Sequence, residues 1–370
     1  GFFIDSRHLS YGIPKLSMAK IVRSQLPVNN EIYKREEYMT HTGRIRNLIT
    51  AVAFGSIASM SALATANAAD EIVFAISAEH GSLQANTAAE FTRLANERLG
   101  EKATVKLFDS AQLGKDKELM QRLKLGTVQI TLPSSTMPTI ADKFALFDLP
   151  FLVKDRDQLA KIEESVFWPT VAPQAEESGY KILALWENGF RQITNNARPI
   201  NVPSDLDGIK LRTPQSEWRV AMFSNYGANP TPMAFSEVFV GLQTGVIDGQ
   251  ENPLTNIEAA KLNEVQKYLT LSGHIYSPSY PTMSVAAYND LDPEVRDILV
   301  NTAREVALWS RDAGAKADKD LLDELTTGGM EVNTADRDAF VEASKPIYAK
   351  FASEIDGGQA LVDAALATAN

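Results

Sequence analysis

The sequence predicts an α/β protein, and three observations carry that prediction. Short apolar runs with strand character alternate with helical spacing from Glu71 to Leu132. The same alternation returns from Ile209 to Thr244. A helical pattern then begins at Asp292 or Pro293 and continues to Leu325, longer than an ordinary globular helix. Strands that alternate with helices argue for a layered fold built on a parallel sheet.

The elements follow in order. Residues 1–38 show no clear periodicity; they read as an extension upstream of the true start and are set aside. From Met39 the chain reads as a secretory leader. Arg44 and Arg46 give a positive start, Leu48 to Leu63 an apolar stretch, and Ala66-Asn67-Ala68 a small-x-small cleavage site. A membrane anchor is the alternative, but Gly55, Ser56, Ser59 and Ser61 dilute the run below the ~18 apolar residues a span needs. The expected mature chain starts near Ala69 and is exported.

Glu71–Ser77 is an expected strand, Leu83–Leu99 a helix, Val105–Phe108 a second strand, and Lys117–Leu125 a helix closed by Gly126. Val128–Leu132 is a third strand. Asp155–Gly179 is amphipathic and helical, with Pro169 expected to kink or split it. Tyr180–Trp186 reads as a buried strand, and Gln192–Asn195 begins another. Ile209–Leu211 is a short strand that delivers Arg212, followed by a helix over Glu217–Tyr226. Asn229–Pro232 and Ser236–Thr244 give a further strand and helix. Val265–Leu271 and Met283–Tyr288 read as strands, and Gly314 is expected to bend or interrupt the long helix. Thr334–Glu354 is a further helix, and Gly357-Gly358 precedes a last one.

With 370 residues, 44% of them hydrophobic, the chain can bury one or two cores. It has no cysteine, which excludes disulfides, thiolate metal sites and a cysteine nucleophile. A formal net charge of -11 argues against nucleic-acid binding, which depends on neutralising phosphates. Downstream of the leader stand two histidines, His80 and His274, far apart and without metal-ligand spacing. No G-x-S-x-G elbow, phosphate loop or G-x-G-x-x-G turn occurs. No cofactor is expected. Carboxylates are plentiful, so a hydrolytic Asp/Glu pair is open but unsupported.

Arg212 is the leading candidate for binding. Open α/β folds place ligand groups at strand ends, and a guanidinium fork matches a carboxylate. Pairing with a surface Asp or Glu is the alternative. The surrounding run, KLRTP and then NPTPMAFSEVFVGLQTGVIDGQENP, resembles the DctP-type solute-binding proteins, the extracytoplasmic receptors of tripartite ATP-independent periplasmic (TRAP) transporters. FDSAQLG, GTVQIT, FDLPFL and ENGFRQITNNARPI extend the resemblance along the mature chain.

The resemblance implies a two-lobed periplasmic-binding-protein-like fold with a hinge, the long helix spanning both lobes. The expected lobes are 69–189 with 278–317, and 190–277 with 318–370. It implies a carboxylate held by Arg212 and Asn252, with Arg191 as a second cation and Phe235 against the apolar part of the ligand. Each has an alternative: Arg191 a domain-crossing structural role, Asn252 the cap of a helix that starts at Pro253, Phe235 core packing. Gln215 and Trp218 are expected to tune selectivity, with Trp186, Glu79, His80, Glu118 and Ser134 as weaker candidates. Trp186 ends an apolar strand, Glu118 sits on a helix, and His80 lies in the first strand-to-helix loop.

The implied partners are a small organic acid and the two integral membrane subunits of a permease, with the receptor a monomer. A receptor for a sensor kinase or an ATP-driven importer, or a secreted carboxylate-dyad hydrolase, are the rivals. The acid itself is open between C4-dicarboxylate, sugar acid, aromatic acid and sulfonate; two cations permit a dianion without requiring one.

Overall fold

The computed structural model describes residues 70–369, so the upstream extension and the leader lie outside the described residues. Two sheets organise the fold. The first has five strands in the order β2 (Ala103–Phe108), β1 (Asp70–Ala75), β3 (Ile130–Thr131), β12 (Thr282–Ser284) and β4 (Tyr180–Ile182). The second has six, in the order β13 (Glu331–Thr334), β10 (Tyr268–Leu271), β6 (Gln192–Asn195), β9 (Gly249–Asn252), β7 (Lys210–Thr213) and β8 (Asn229–Pro232). A separate antiparallel ribbon pairs β5 (Trp186–Phe190) with β11 (Tyr276–Ser279). The chain leaves the first sheet through β5 and returns through β11, so the ribbon is a two-strand hinge between two lobes.

The long helix Pro293–Thr327 is the third connection. Asp292 caps it, accepting from Glu294 N at 2.8 Å, and Pro293 occupies its first turn, where no N–H is needed. Its first half buries Val295, Leu299, Ala303 and Val306 with Phe91 and Ala95 of helix Leu83–Leu99. At its far end Leu325 joins Leu254, Ile257 and Leu269 under the second sheet. Gly314 does not break this helix, which runs unbroken for 35 residues. A side chain at 314 would collide with the Glu187 carboxylate and Leu83, so glycine serves close approach to the hinge strand.

Several elements differ from expectation. The first sheet is mixed, because β12 returns from the hinge and runs antiparallel to β3 and β4. Local periodicity carries no information about that return. The run Tyr180–Trp186 divides into β4 and β5, one strand in a sheet and one in the hinge. Met283–Tyr288 is strand only to Ser284; Ser284 Oγ then accepts from Ala287 N at 3.1 Å and starts helix Val285–Asp290. The run around Pro169 stays helical but is not one α-helix: residues Glu163–Val171 adopt wider π-type turns between two α-helical segments. The expected helix over Thr334–Glu354 becomes β13 and two helices, Arg337–Ala343 and Lys345–Glu354, parted at Ser344 ahead of Pro346.

Candidate ligand-binding site

A cavity of about 550 Å³, counted to its open mouth, lies where strand ends of both sheets face each other. From the first lobe come Ser77 and Ala78 after β1, Ser134 to Thr136 after β3, and Asp116, the first residue of helix Asp116–Lys124. From the second come Arg212 on β7, Gln215 beyond it, Phe235 beyond β8, and Asn252 at the end of β9. Asn188 and Arg191 belong to the hinge side. β7, β8 and β9 run parallel, so their carboxyl ends converge, the arrangement by which open α/β sheets build ligand sites.

Arg212 is 3% exposed and has no carboxylate partner among the described residues. Its Nε and Nη2 both donate to Met233 O, at 3.0 and 2.7 Å. This fixes the plane of the guanidinium and leaves Nη1 without a partner. Burial pulls the group down to about 10, partly offset by the Glu251 carboxylate, so it stays cationic at neutral pH. The Phe235 ring centroid lies 5.9 Å from Arg212 Cζ, at the distance of a cation–π contact.

Behind Arg212 lies a closed polar network centred on Glu251, which is fully buried. Arg191 donates through Nε and Nη2 to its carboxylate, the latter at 2.9 Å to Oε1. Arg219 Nη1 donates to Oε2 at 3.0 Å, and His274 Nε2 lies 3.1 Å from the same oxygen. Burial alone would push the Glu251 carboxyl up; the Arg191 and Arg219 guanidiniums outweigh it and hold the group well below the usual range. Burial draws His274 below its ordinary value against the pull of Glu251. A neutral His274 donates from Nε2 and accepts the Ser272 hydroxyl at Nδ1, 2.8 Å away.

Arg191 therefore reaches the cavity with its fork already taken by Glu251. Asn252 is not a helix cap: Pro253 holds that position before helix Leu254–Ala259. The Asn252 amide donates to Gln250 Oε1 at 2.6 Å and accepts from Arg191 Nη2 at 3.1 Å. Ser134 donates to Pro278 O at 2.6 Å, which leaves its oxygen as an acceptor.

Arg212, Arg191, Asn252, Phe235, Gln215 and Ser134 thus line one cavity. The other candidates do not. Trp186 packs between Phe74 and Phe91 in the core of the first lobe, its Nε1 donating to Ala303 O at 2.7 Å. Trp218 turns away from Arg212 onto Phe351, centroids 5.5 Å apart, with Lys350 Nζ over its face. Helical phase explains this, since Trp218 lies one turn before Met222 on the buried side of helix Glu217–Asn225. His80 is solvent-exposed beside Asp109, and Glu79 is half-buried in the same loop, outside the cavity. Glu118 closes its own helix start, accepting from Lys115 N at 3.1 Å.

Sequence reasoning passed over Asp116, two positions before Glu118. Its carboxylate accepts from Ser77 Oγ. Burial pushes it up from the ordinary value, with Ser77 and Arg212 acting against that. Its place at the head of a helix after β2 was the available signal. No group of three or more metal-binding side chains occurs among the described residues, and no described helix is long and apolar enough to cross a membrane.

A protein-family model described as bacterial extracellular solute-binding protein, family 7 (DctP), matches residues 74–354. The 2,3-diketo-L-gulonate-binding periplasmic protein of Escherichia coli is 33% identical over 312 residues, spanning 83% of this chain and 95% of that protein. The sugar acid binding protein of Advenella mimigardefordensis, solved with galactonate, superposes with a TM-score of 0.78 at 30% identity, covering 81% of this chain and 99% of that one. A TRAP periplasmic solute binding protein of Sulfurospirillum deleyianum with bound succinate gives 0.77 at 31% identity, covering 81% and 99%. With the fold, the interlobe cavity and the family match in agreement, this chain belongs to the DctP family of bacterial extracellular solute-binding proteins.

Proposed function

We propose that this chain is an exported receptor that closes on one small organic anion and delivers it to the integral membrane subunits of a TRAP-type secondary transporter. The observation that carries the reading is Arg212, a buried guanidinium in the interlobe cavity with no carboxylate partner among the described residues. Such a charge is costly unless a partner arrives, and a ligand carboxylate supplies that partner through charge-assisted hydrogen bonds. Asn252 and Gln215 orient the carboxylate, Phe235 packs on the carbon chain, and Ser134 accepts from a ligand hydroxyl. Arg191 holds Asn252 in place.

The carboxylate-dyad reading lacks its pair, since Asp116 is the one acidic side chain among the described lining residues. In this reading the receptor acts as a monomer with its leader removed near Ala69, which leaves the cleft mouth free for the permease. Ligand bridging both lobes favours the closed state by its differential affinity.

A thermal-shift screen against organic acids tests the reading. A ligand that binds only the folded state raises the melting temperature with its concentration. A rise with one class of organic acid supports the receptor; turnover of any acid without such a rise overturns it.

A further inference from the structure

A second cavity, of about 970 Å³ counted to its open mouth, lies across the hinge from the first. The crossing chain divides the two. Arg191 lines the first cavity, while its neighbours Phe190 and Gln192 line the second, the alternation expected of extended chain. Every connection between the lobes contributes to the second. Phe190 ends β5, Ser272 and Gly273 lead toward β11, and Asp318 and Leu322 belong to the long helix. Gln192 Oε1 accepts from Ser272 N at 2.9 Å and from Gly273 N at 3.0 Å, which ties the two crossings together. Small-molecule sites commonly measure about 300–1,000 Å³.

The floor of this cavity is apolar, and the open charge at its rim is positive. Val153, Phe190, Leu254, Leu271 and Leu322 supply carbon surface. Asp318 is the one acidic side chain among the described lining residues, and Arg156 Nη2 neutralises it from 2.7 Å. Arg337 has no carboxylate partner among the described residues; its Cζ stands 5.0 Å from the Phe151 ring centroid. The ring face steadies the guanidinium and leaves its N–H edges for a ligand. Lys154 Nζ lies 3.8 Å from Asp155 Oδ2, a loose pair at the surface. Floor and rim together fit an apolar chain that ends in a single carboxylate.

The two cavities share one hinge as their common wall, so lobes that part at the first narrow the second. Here Lys115 and Glu237 bridge the first mouth, and the second cavity stands wide. An occupant of the second resists its narrowing and holds the first closed. We propose that this cavity is a second site, for a medium-chain carboxylate, whose occupation favours the closed form and strengthens binding in the first cavity. Such coupling is reciprocal, so ligand in the first cavity strengthens binding in the second by the same factor. The site goes beyond the receptor reading, which its failure would leave standing.

Calorimetric titrations with octanoate, acetate and 1-octanol separate the tail from the charge. The expected result is octanoate binding, with acetate weaker by about tenfold or more for want of buried methylenes. 1-Octanol is expected to be weaker by about threefold or more for want of charge. Arg337→Glu and Lys154→Glu, at exposed positions, are each expected to weaken octanoate by about threefold or more, and either serves if the other folds poorly. Arg212→Ala is expected to bind octanoate as the wild type does, which tells the second cavity from the first. The chain has no cysteine, so Lys124→Cys and Gln243→Cys place one spin label on each lobe. Octanoate alone is expected to shift the distance between the labels to shorter values, and Arg337→Glu to abolish the shift. Absence of octanoate binding overturns the inference. Binding that Arg212→Ala removes and both charge reversals leave intact does the same, as does a label distance that octanoate leaves unchanged or lengthens.

Discussion

Lys115 Nζ lies 2.5 Å from Glu237 Oε1, and the two residues stand on opposite sides of the cavity mouth. Lys115 immediately precedes Asp116 in the first lobe; Glu237 follows Phe235 by two residues in the second. Both are exposed, so solvent and salt screen the pair. As a weak latch it would favour the closed form. Lys115→Ala is expected to weaken ligand affinity by about fivefold or less at low salt. The difference should vanish near 1 M salt, where the Debye length is about 3 Å. Titrations at the two ionic strengths check this; an effect that persists in high salt would assign Lys115 a role other than latch.

Glu251 is the neutral point of a buried network with two arginines and a histidine. Glu251→Gln leaves Arg191 and Arg219 facing an uncharged amide. Breaking a buried ion pair from one side costs about 3–5 kcal/mol. The expected outcome is a large fall in the urea midpoint with an unchanged denaturant slope. Arg219 Nε also donates to Asp148 Oδ1 at 2.9 Å, and a loss below about 1 kcal/mol would mean that Asp148 alone satisfies Arg219.

His274 supplies the pH dependence. Its folded value lies below the ordinary 6.5, so the unfolded chain takes up a proton first as pH falls. Stability from this residue is full above about pH 6.5 and declines as pH drops toward the folded value, by at most about 1.4 kcal/mol per pH unit. His274→Gln keeps a donor toward Glu251 and cannot titrate. The variant is expected to lose less stability than the wild type between about pH 7 and pH 5. Equal losses in the two proteins would contradict a neutral buried His274.

Gly314 is the point where the long helix passes the hinge. Ala is the better helix former, yet a methyl group at 314 falls on the Glu187 carboxylate. Glu187 also accepts from Arg156 Nε at 3.0 Å, and Arg156 Nη2 donates onward to Asp318 at 2.7 Å. Gly314→Ala is expected to destabilise by about 1–3 kcal/mol, against the propensity trend. Urea unfolding measures this; a stabilised variant would show that the helix can stand further from β5.

Local signals made much of the fold legible. Helix Leu83–Leu99 follows its expected bounds because Ser82 caps it and Gly100 ends it. Asp292 and Pro293 mark the start of the long helix equally well. β13 escaped notice because Glu331–Thr334 is polar, half-exposed and defined only by parallel pairing with β10. Arg212 was readable from its place at a strand end, where chemistry and position agree. The Glu251 network was not, since its partners lie 60, 32 and 23 residues away in sequence. Asp116 was hidden for a different reason: an acid in a first helical turn reads as a complement to the helix dipole.

Titration of Arg212→Ala with the preferred acid, beside the ligand-free melting temperature, tests the central claim most directly. A carboxylate clamp predicts an affinity loss of about 100-fold or more, the size expected when a buried charged pair loses one member. It also predicts a ligand-free protein no less stable than the wild type, because the variant removes a buried charge that has no carboxylate partner among the described residues. Binding within about tenfold of the wild type would contradict the assignment of Arg212 as the group that holds the ligand.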